Sequence, residues 1–252
     1  MDTTPWYVDF FIQDYALLYA HLLTPERTAK EVEFLQRTLA LQPGSRVLDL
    51  CCGWGRHSIA LAALGYQVAG LDLSPTHIQM ARDEAQKQGV EVQFIRSDMR
   101  EVPFQEYFHA AINIFTAFGY LESDEEDQKV LQAVSMALKP GGQFFMDTIN
   151  REWLVRNFQS QGWETTTPQG HLLLAERKLD LFTSRIHVRN IIIDPAGSRK
   201  ETGHVLRLYT LTEMAGMLRR AGLYVAETFG SFDGEEYSID SRRMIILARK
   251  GD

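Results

Sequence analysis

From Arg46 to Ile149, short apolar or β-branched runs alternate with longer stretches in which apolar residues recur every three or four positions. That rhythm predicts strands and helices in turn, the pattern of a parallel sheet wound with helices. Val47-Leu48-Asp49-Leu50 reads as strand one, Ser58 to Leu64 as the helix after it, stopped by Gly65, and Tyr66 to Leu71 as strand two. Ser74-Pro75 opens the next helix with a capping hydroxyl and a first-turn proline; its apolar side is Ile78, Met80, Ala81 and Ala85, and it ends at Gly89. Val92 to Ile95 is strand three and Phe108 to Phe115 strand four. The acidic run from Glu122 to Asp127 suits a helix N-terminus, and that helix runs to Leu138. Lys139-Pro140-Gly141-Gly142 is a turn leading into strand five, Gln143 to Thr148.

Beyond strand five the period changes. From about Leu172 to Leu208 apolar and polar residues alternate, as in Arg185-Ile186-His187-Val188-Arg189, with turn signals between, which predicts a small antiparallel meander. Thr210-Leu211-Thr212-Glu213 has the form of a capping box and starts a late helix ending at Gly222. Leu223 to Phe229 and Met244 to Ala248 read as antiparallel strands joined by a polar loop that carries Tyr237, Arg242 and Arg243. The expectation is a single domain over 1–252: an N-terminal helical lid (1–40), a ligand-binding core (45–150), a β insertion (170–208) and a C-terminal helix and hairpin (210–250).

Composition narrows the function. A 252-residue chain that is 45% hydrophobic can bury a sizeable core without disulfides or metals. Its formal charge of −7 argues against non-specific nucleic-acid binding, which rests on clustered cations, so a small-molecule substrate and no nucleic-acid partner are expected. The two cysteines, Cys51 and Cys52, are adjacent and show no disulfide or zinc spacing. No metal is expected. No apolar run approaches a membrane span and the start has no signal-peptide pattern, so a cytoplasmic protein without a membrane partner is expected.

The chemistry gathers at the first turn. Gly53-Trp54-Gly55 lies between strand one and its helix, where the chain turns tightly and lets a ligand approach the backbone. With Ser58 in the third small-residue slot this loosely fits a dinucleotide fingerprint. Against a nicotinamide cofactor stand Asp49, whose carboxylate would face the pyrophosphate, and the bulk of Arg56 and His57 just after the glycines. S-adenosylmethionine has no phosphate but carries an ammonium and a sulfonium, which an acid at that place favours. Asp72 ends strand two about 20 residues on, where an acid accepts from both ribose hydroxyls; alternatively it caps a helix beside Ser74. Asp98-Met99 follows strand three on the same rim, where Asp98 is either an acceptor for an adenine amino group, with Met99 against the ring, or a solvated loop acid.

Val47-Leu48-Asp49-Leu50-Cys51-Cys52-Gly53-Trp54-Gly55 resembles motif I of the class I S-adenosylmethionine-dependent methyltransferases. Gly70-Leu71-Asp72-Leu73-Ser74 resembles the second motif, Ser97-Asp98-Met99 the third, and Leu138-Lys139-Pro140-Gly141-Gly142 the turn before strand five. The resemblance implies a Rossmann-like α/β fold: a seven-stranded, mostly parallel sheet with helices on both faces and its last strand antiparallel, plus the small antiparallel insertion after strand five. It implies S-adenosylmethionine as cofactor and S-adenosylhomocysteine as product. Asp49 and the glycine turn at Gly53 and Gly55 would take the methionine part, Asp72 the ribose, and Asp98 and Met99 the adenine, with Cys51, Leu73, Asn113 and Tyr19 also on the cofactor. Cys51 departs from the pattern, standing where the family most often has glycine. The layout is similar to small-molecule methyltransferases, including those acting on amines of sugars and amino acids.

On the acceptor side the rim candidates are Tyr15 and Tyr19 in the N-terminal segment, Tyr120 after strand four, Asn150 and Arg151 after strand five, and Tyr237 and Arg242 in the C-terminal loop. Tyr120 and His57 are the candidate catalytic side chains; an ordinary loop role competes for Tyr120, and a surface or packing role for His57. The expected activity is in-line methyl transfer to a small-molecule amine or hydroxyl. A module that binds S-adenosylmethionine without transfer, and a nicotinamide oxidoreductase, are the rivals. The meander could serve as a lid or as a homodimer contact.

Overall fold

The computed structural model describes residues 10–11, 18–165 and 170–251; Tyr15 lies outside them. Strands β1 (Arg46–Leu50), β2 (Gln67–Asp72), β3 (Val92–Arg96), β4 (Phe108–Asn113) and β5 (Leu138–Ile149) are parallel to one another, and β10 (Leu223–Phe229) and β11 (Arg243–Lys250) complete a seven-stranded sheet. Its order is β10-β11-β5-β4-β1-β2-β3, with β11 antiparallel to both neighbours. The order reverses direction at β1, which opens a crevice beyond the C-terminal strand ends, where ligands bind in open α/β sheets.

Alternation along the strands feeds two apolar layers. Leu48, Leu50, Phe144 and Met146 point to the side covered by α4 (Asp124–Ala137) and α6 (Leu211–Arg220). Val47, Phe145 and Ile245 point to the side covered by α1 (Pro25–Leu39) and α2 (Arg56–Ala63). Helix α3 (Pro75–Gln88) packs through Ile78, Ala81 and Ala85 on Ile59 of α2 and Phe94 of β3. Helix α1 starts as its sequence dictates, with Thr24 accepting from the Arg27 amide and proline in the first turn, and it buries Val32, Phe34, Leu35 and Leu39. This corrects the reading of residues 1–40 as a lid. From Pro25 to Leu39 they cover a sheet face.

Strand five begins earlier than its pattern suggests. Lys139 to Gly142 stay within it as an excursion between the pairs Phe108–Leu138 and Ala110–Gln143, made possible by Gly141 at φ +69°. Two elements give no sequence signal. Helix α5 (Arg151–Arg156) is under two turns, too short for periodicity, and β6 (Gln161–Thr165) holds a glycine and no alternation. Strand β6 joins β7 (Leu172–Asp180), β8 (Arg185–Ile193) and β9 (Arg199–Arg207) in an antiparallel sheet of order β6-β7-β8-β9, so the insertion starts at 161 rather than 170. Arg189 on its outer face pairs with Glu176 and Glu201 at 2.8 Å each. Its inner face packs Leu173 and Ile192 on Phe10 and Leu18, and Ile186 and Leu206 on Tyr120. Gly119 anchors this junction: the Arg207 amide donates to its carbonyl at 2.8 Å, and a Cβ there would stand 2.6 Å from the Arg207 carbonyl oxygen. No helix among the described residues is long and apolar enough to cross a membrane.

Below this junction a buried acid sets a pH dependence. Asp127, fully buried in the first turn of α4, accepts from the Tyr209 hydroxyl at 2.7 Å, while its Oδ1 has no hydrogen-bond partner among the described residues. Burial pushes its carboxyl up to about 7. A raised native value means that the folded chain holds the proton more tightly, so stability is lost as pH rises from about 4 through about 7. Asp127→Asn, which keeps the shape and stays neutral, should be more stable than wild type at pH 8 by ~1–3 kcal/mol. The gain should vanish near pH 4. Urea unfolding at the two pH values checks both.

Candidate active site

The crevice is built by the turns that follow β1, β2, β3 and β4. After β1 the chain enters the left-handed region at Cys51 (φ +61°), Gly53 (+55°) and Gly55 (+80°), and the last of these caps α2. A Cβ at Gly53 would meet nothing within 4 Å, so the backbone there is open to a ligand. At Gly55 a Cβ would stand 3.0 Å from Ala81 Cβ and Phe94 Cζ. Gly55 therefore serves close packing of α2 on α3 and β3, and among the expected cofactor contacts it does not line the cleft.

Asp72 unites two turns. Its Oδ2 accepts from the Gly53 amide at 2.9 Å and its Oδ1 from the Ser74 amide at 2.8 Å. Its carboxylate lines the cleft with Leu73 and Ser74, leaving lone pairs for hydroxyl donors. Asp49 lines the same cleft, almost fully buried, and accepts from the Ser58 hydroxyl at 2.6 Å. Burial pushes its carboxyl up, against the pull of His57, Ser58 and Arg56. A bound cation would offset that cost.

Asp98 and Met99 also line the cleft. Arg100 holds Asp98 through Nη2 to Oδ2 at 2.7 Å and through its backbone and Nε to Oδ1 at 2.9 Å each, and Arg100 in turn pairs with Glu126 of α4. Burial alone would raise Asp98; these bonds outweigh it and leave the carboxyl below its ordinary value. The thiol of Cys51 reaches the Met99 sulfur at 3.6 Å, and burial pushes that thiol well up, so it stays protonated and apolar. Asn113 lies behind the wall: it is buried, its amide donates to the Leu50 carbonyl at 3.0 Å, and it braces the turn without lining the cleft.

The fourth side comes from the end of β4. Phe115 (φ +66°) and Thr116 (φ +58°) take two successive left-handed conformations, and Asp147 pins both: the Phe115 amide donates to its Oδ2 at 2.9 Å and the Thr116 amide to its carbonyl at 3.0 Å. Arg243 grips Asp147 through Nε at 2.7 Å and Nη2 at 2.8 Å. Phe115, Thr116, Ala117, Tyr120 and Leu121 thus form a largely apolar wall, closed by Phe11 and Leu23 from the N-terminal side. Phe11 stands edge-on to Tyr120 with ring centres 5.0 Å apart, and Tyr19 edge-on to Phe115 at 6.3 Å. Tyr19 supports this wall and is not itself part of the lining.

Other expected acceptor residues fall elsewhere. Asn150 is buried as the N-cap of α5 and donates to the carbonyls of Ser238 and Ser241 at 2.9 and 2.7 Å. Tyr237 donates to Asn150 and Glu152 at 3.1 Å, and burial pushes its hydroxyl up. Arg151 donates to the Ser184 hydroxyl at 2.5 Å, and Arg242 lies over the Trp153 ring, 5.4 Å from its centre. None of the four lines the cleft, because short-range polar partners tie down the loops that carry them. His57 does line it, but its Nε2 faces Glu31 Oε2 at 2.9 Å, which makes it a link between α1 and α2 rather than a base. Burial, helped by Arg56, lowers its imidazole, so it is neutral.

Residues that the motifs did not point to are Phe11, Trp54, His77, Arg56 and Glu31. Trp54 and His77 line the cleft with rings 5.7 Å apart, and Arg56 lines it while paired to Glu31. Trp54 and Arg56 sit inside or beside the glycine motif, so they could have been found; Glu31 could not.

Residues 47–142 match the family described as a methyltransferase domain. The chain is 28% identical over 211 residues to a cypemycin N-terminal methyltransferase from a Streptomyces species, covering 82% of this chain and 84% of that protein. It is 32% identical over 131 residues to the ubiquinone biosynthesis O-methyltransferase of Xanthomonas campestris, spanning 52% of each. Among solved structures, the CcbJ methyltransferase of Streptomyces caelestis has the same fold, with a TM-score of 0.82, 20% identity and coverage of 96% and 98%. The matched segment is described as a methyltransferase domain, and the fold is shared with an S-adenosylmethionine-dependent methyltransferase from Clostridium acetobutylicum, with a TM-score of 0.80, 18% identity and coverage of 97% and 99%. The cleft suits S-adenosylmethionine: open backbone at Gly53, carboxylates at Asp49 and Asp72, and the apolar pair Leu73 and Met99.

Proposed function

We propose that this enzyme methylates an amine or hydroxyl of a small molecule held between the Gly53 turn and the aromatic wall. The observation that carries the reading is the wall itself. Phe11, Phe115 and Tyr120 stand opposite the carboxylate side of one cleft, which offers an acceptor a dry, shaped surface. In this reading Asp49 faces the cationic methionine end, Asp72 the ribose, and Met99 and Leu73 the adenine, while Asp98, held by Arg100, accepts from the adenine amino group through its remaining lone pairs. When bound, S-adenosylmethionine supplies a methyl group on a sulfonium with a good neutral leaving group.

The protein's part is to align the nucleophile and exclude water. Tyr120 and Phe115 fix the plane of the acceptor, and Phe11, edge-on to Tyr120, adds a third ring to the same wall within a single domain. An amine that arrives charged loses one proton before attack. Transfer of labelled methyl from S-adenosylmethionine into separated small-molecule and macromolecular fractions tests the reading. Label in the small-molecule fraction, lost in Tyr120→Ala while S-adenosylhomocysteine still binds, is the expected result. Label confined to macromolecules would refute it, and binding of cofactor with no transfer would favour a sensor.

A further inference from the structure

Two opposite charges face the cleft without meeting. Asp49 near the end of β1 and Arg56 at the start of α2 both line it, and no ion pair joins them among the described residues. Each still feels the other, since the Arg56 charge is one of the pulls that oppose the rise of the Asp49 carboxyl. Ser58, two residues along α2 from Arg56, donates to Asp49 at 2.6 Å, so acid and guanidinium frame one helix start. A Cβ at Gly53 would meet nothing within 4 Å, which lets a ligand reach the backbone beside both charges.

Arg56 is only partly engaged. Its Nη1 donates to Glu31 and, at 3.3 Å, to the Thr28 hydroxyl, which ties the side chain back to α1. Its Nε and Nη2 make no hydrogen bond among the described residues, although the side chain is only 12% exposed. A guanidinium presents its five N–H donors as a planar fork, and an edge formed by Nε and Nη2 matches the two oxygens of a carboxylate.

The local charge balance points the same way. Glu31 is one carboxylate shared by two guanidiniums, Arg27 and Arg56, and the His57 ring beside them is neutral because burial, helped by Arg56, lowers it. One positive charge is left over. Arg27 is the more exposed of the pair, at 32% against 12%, and lies over the Phe115 ring outside the lining, so the unmatched charge reaches the cleft at Arg56. A cation so little solvated gains more from an anion than a surface cation does, because less water screens the pair.

An acid and an open guanidinium edge at one turn complement a zwitterion, whose ammonium meets the first and whose carboxylate meets the second. A phosphate would suit Arg56 but be repelled by Asp49, and a simple amine would leave Arg56 unmatched. Resting on the reading above, which sets the cationic methionine end at Asp49, we propose that Arg56 is the carboxylate-binding residue of the cleft and that, with Asp49, it selects a ligand bearing an α-amino-acid head. The methionine end of S-adenosylmethionine is such a head, and an amino-acid acceptor is another.

The full chain is titrated by calorimetry with S-adenosylhomocysteine and with decarboxylated S-adenosylhomocysteine, which differs only in lacking the carboxylate. Wild type should bind the decarboxylated ligand about tenfold or more weaker. In Arg56→Gln the two affinities should come within roughly twofold of each other, through loss of S-adenosylhomocysteine binding, and Arg56→Lys, which keeps the charge but not the fork, should fall between. Comparing two ligands on one protein cancels a general loosening of the turn, and the wild-type comparison holds even where Arg56→Gln does not fold. The acceptor as source is read by labelled methyl transfer into an ultrafiltered small-molecule extract, one portion of which has its carboxyl groups converted to methyl esters. In that case wild type binds both thioethers alike, while esterification and Arg56→Gln each lower transfer by about tenfold or more. Equal binding of the two thioethers together with transfer indifferent to esterification would overturn the proposal. So would discrimination that survives in Arg56→Gln. Failure of the parent reading is distinguishable: carboxylate-dependent binding with no label in the small-molecule fraction removes that reading alone, whereas wild type that binds neither thioether takes both down.

Discussion

Asp72→Ala should weaken binding of S-adenosylmethionine and S-adenosylhomocysteine by about 1–3 kcal/mol, roughly five- to 150-fold, through loss of hydrogen bonds to a charged acceptor. The effect has two sources. Asp72 holds the Gly53 and Ser74 amides at 2.9 and 2.8 Å, so it sets the distance between the turns after β1 and β2. The same carboxylate faces the cleft, where ribose hydroxyls would donate to it. Asp72→Asn separates the two, because an amide oxygen keeps one acceptor while its NH2 cannot accept from the second backbone amide. Calorimetric titration with S-adenosylhomocysteine should rank the proteins wild type, Asn, Ala, and unfolding without ligand should show how much of the loss is structural. Unchanged affinity in both variants would remove Asp72 from the site.

The lining at the turns after β1, β2 and β3 was legible because its residues sit at strand ends, and strand ends are visible as the points where apolar runs stop. Asp49, Gly53, Asp72, Leu73, Asp98 and Met99 all lie on the lining for that reason. The rest of the rim was not. Asn150, Arg151, Tyr237 and Arg242 stand near the same rim in sequence, but the chain gives no sign of which way a loop side chain turns. Here Asn150 is spent on capping α5 and tying the Ser238–Ser241 loop. A polar residue after a strand is as good a cap as a ligand.

A similar limit applies to the turn after β1. Cys51 stands where the family most often has glycine, and its φ of +61° shows why glycine is favoured there. The thiol is accommodated because its sulfur packs on Met99 instead of meeting backbone. Gly55 reads as a ligand-facing glycine by spacing, yet its absent Cβ makes room for Ala81 and Phe94. The motif marks backbone demands correctly, but it does not separate approach by a ligand from approach by a neighbouring helix.

Glu31 is the largest determinant that no local pattern announces, because it acts from α1 on a turn more than twenty residues away. It is 1% exposed, its Oε1 accepts from Arg27 Nε at 2.8 Å, and its Oε2 binds Arg56 and, at 2.9 Å, His57. Burial by itself would raise its carboxyl; the His57 hydrogen bond and the Arg56 charge outweigh that and hold it well below the usual carboxylate range. Glu31→Ala leaves Arg56 beside the cleft without its counter-ion. Removing one partner of a buried pair costs about 3–5 kcal/mol, and partial exposure of Arg27 brings the expectation to ~2–4 kcal/mol at pH 7. The sign with pH follows from the lowered native value: the stabilisation is complete above about pH 4.5 and is lost as pH falls below it. The gap between wild type and variant in urea unfolding should therefore be constant from pH 8 to about 5 and shrink in more acid solution. A gap that persists unchanged at low pH would mean that packing of the side chain, not its charge, stabilises this junction.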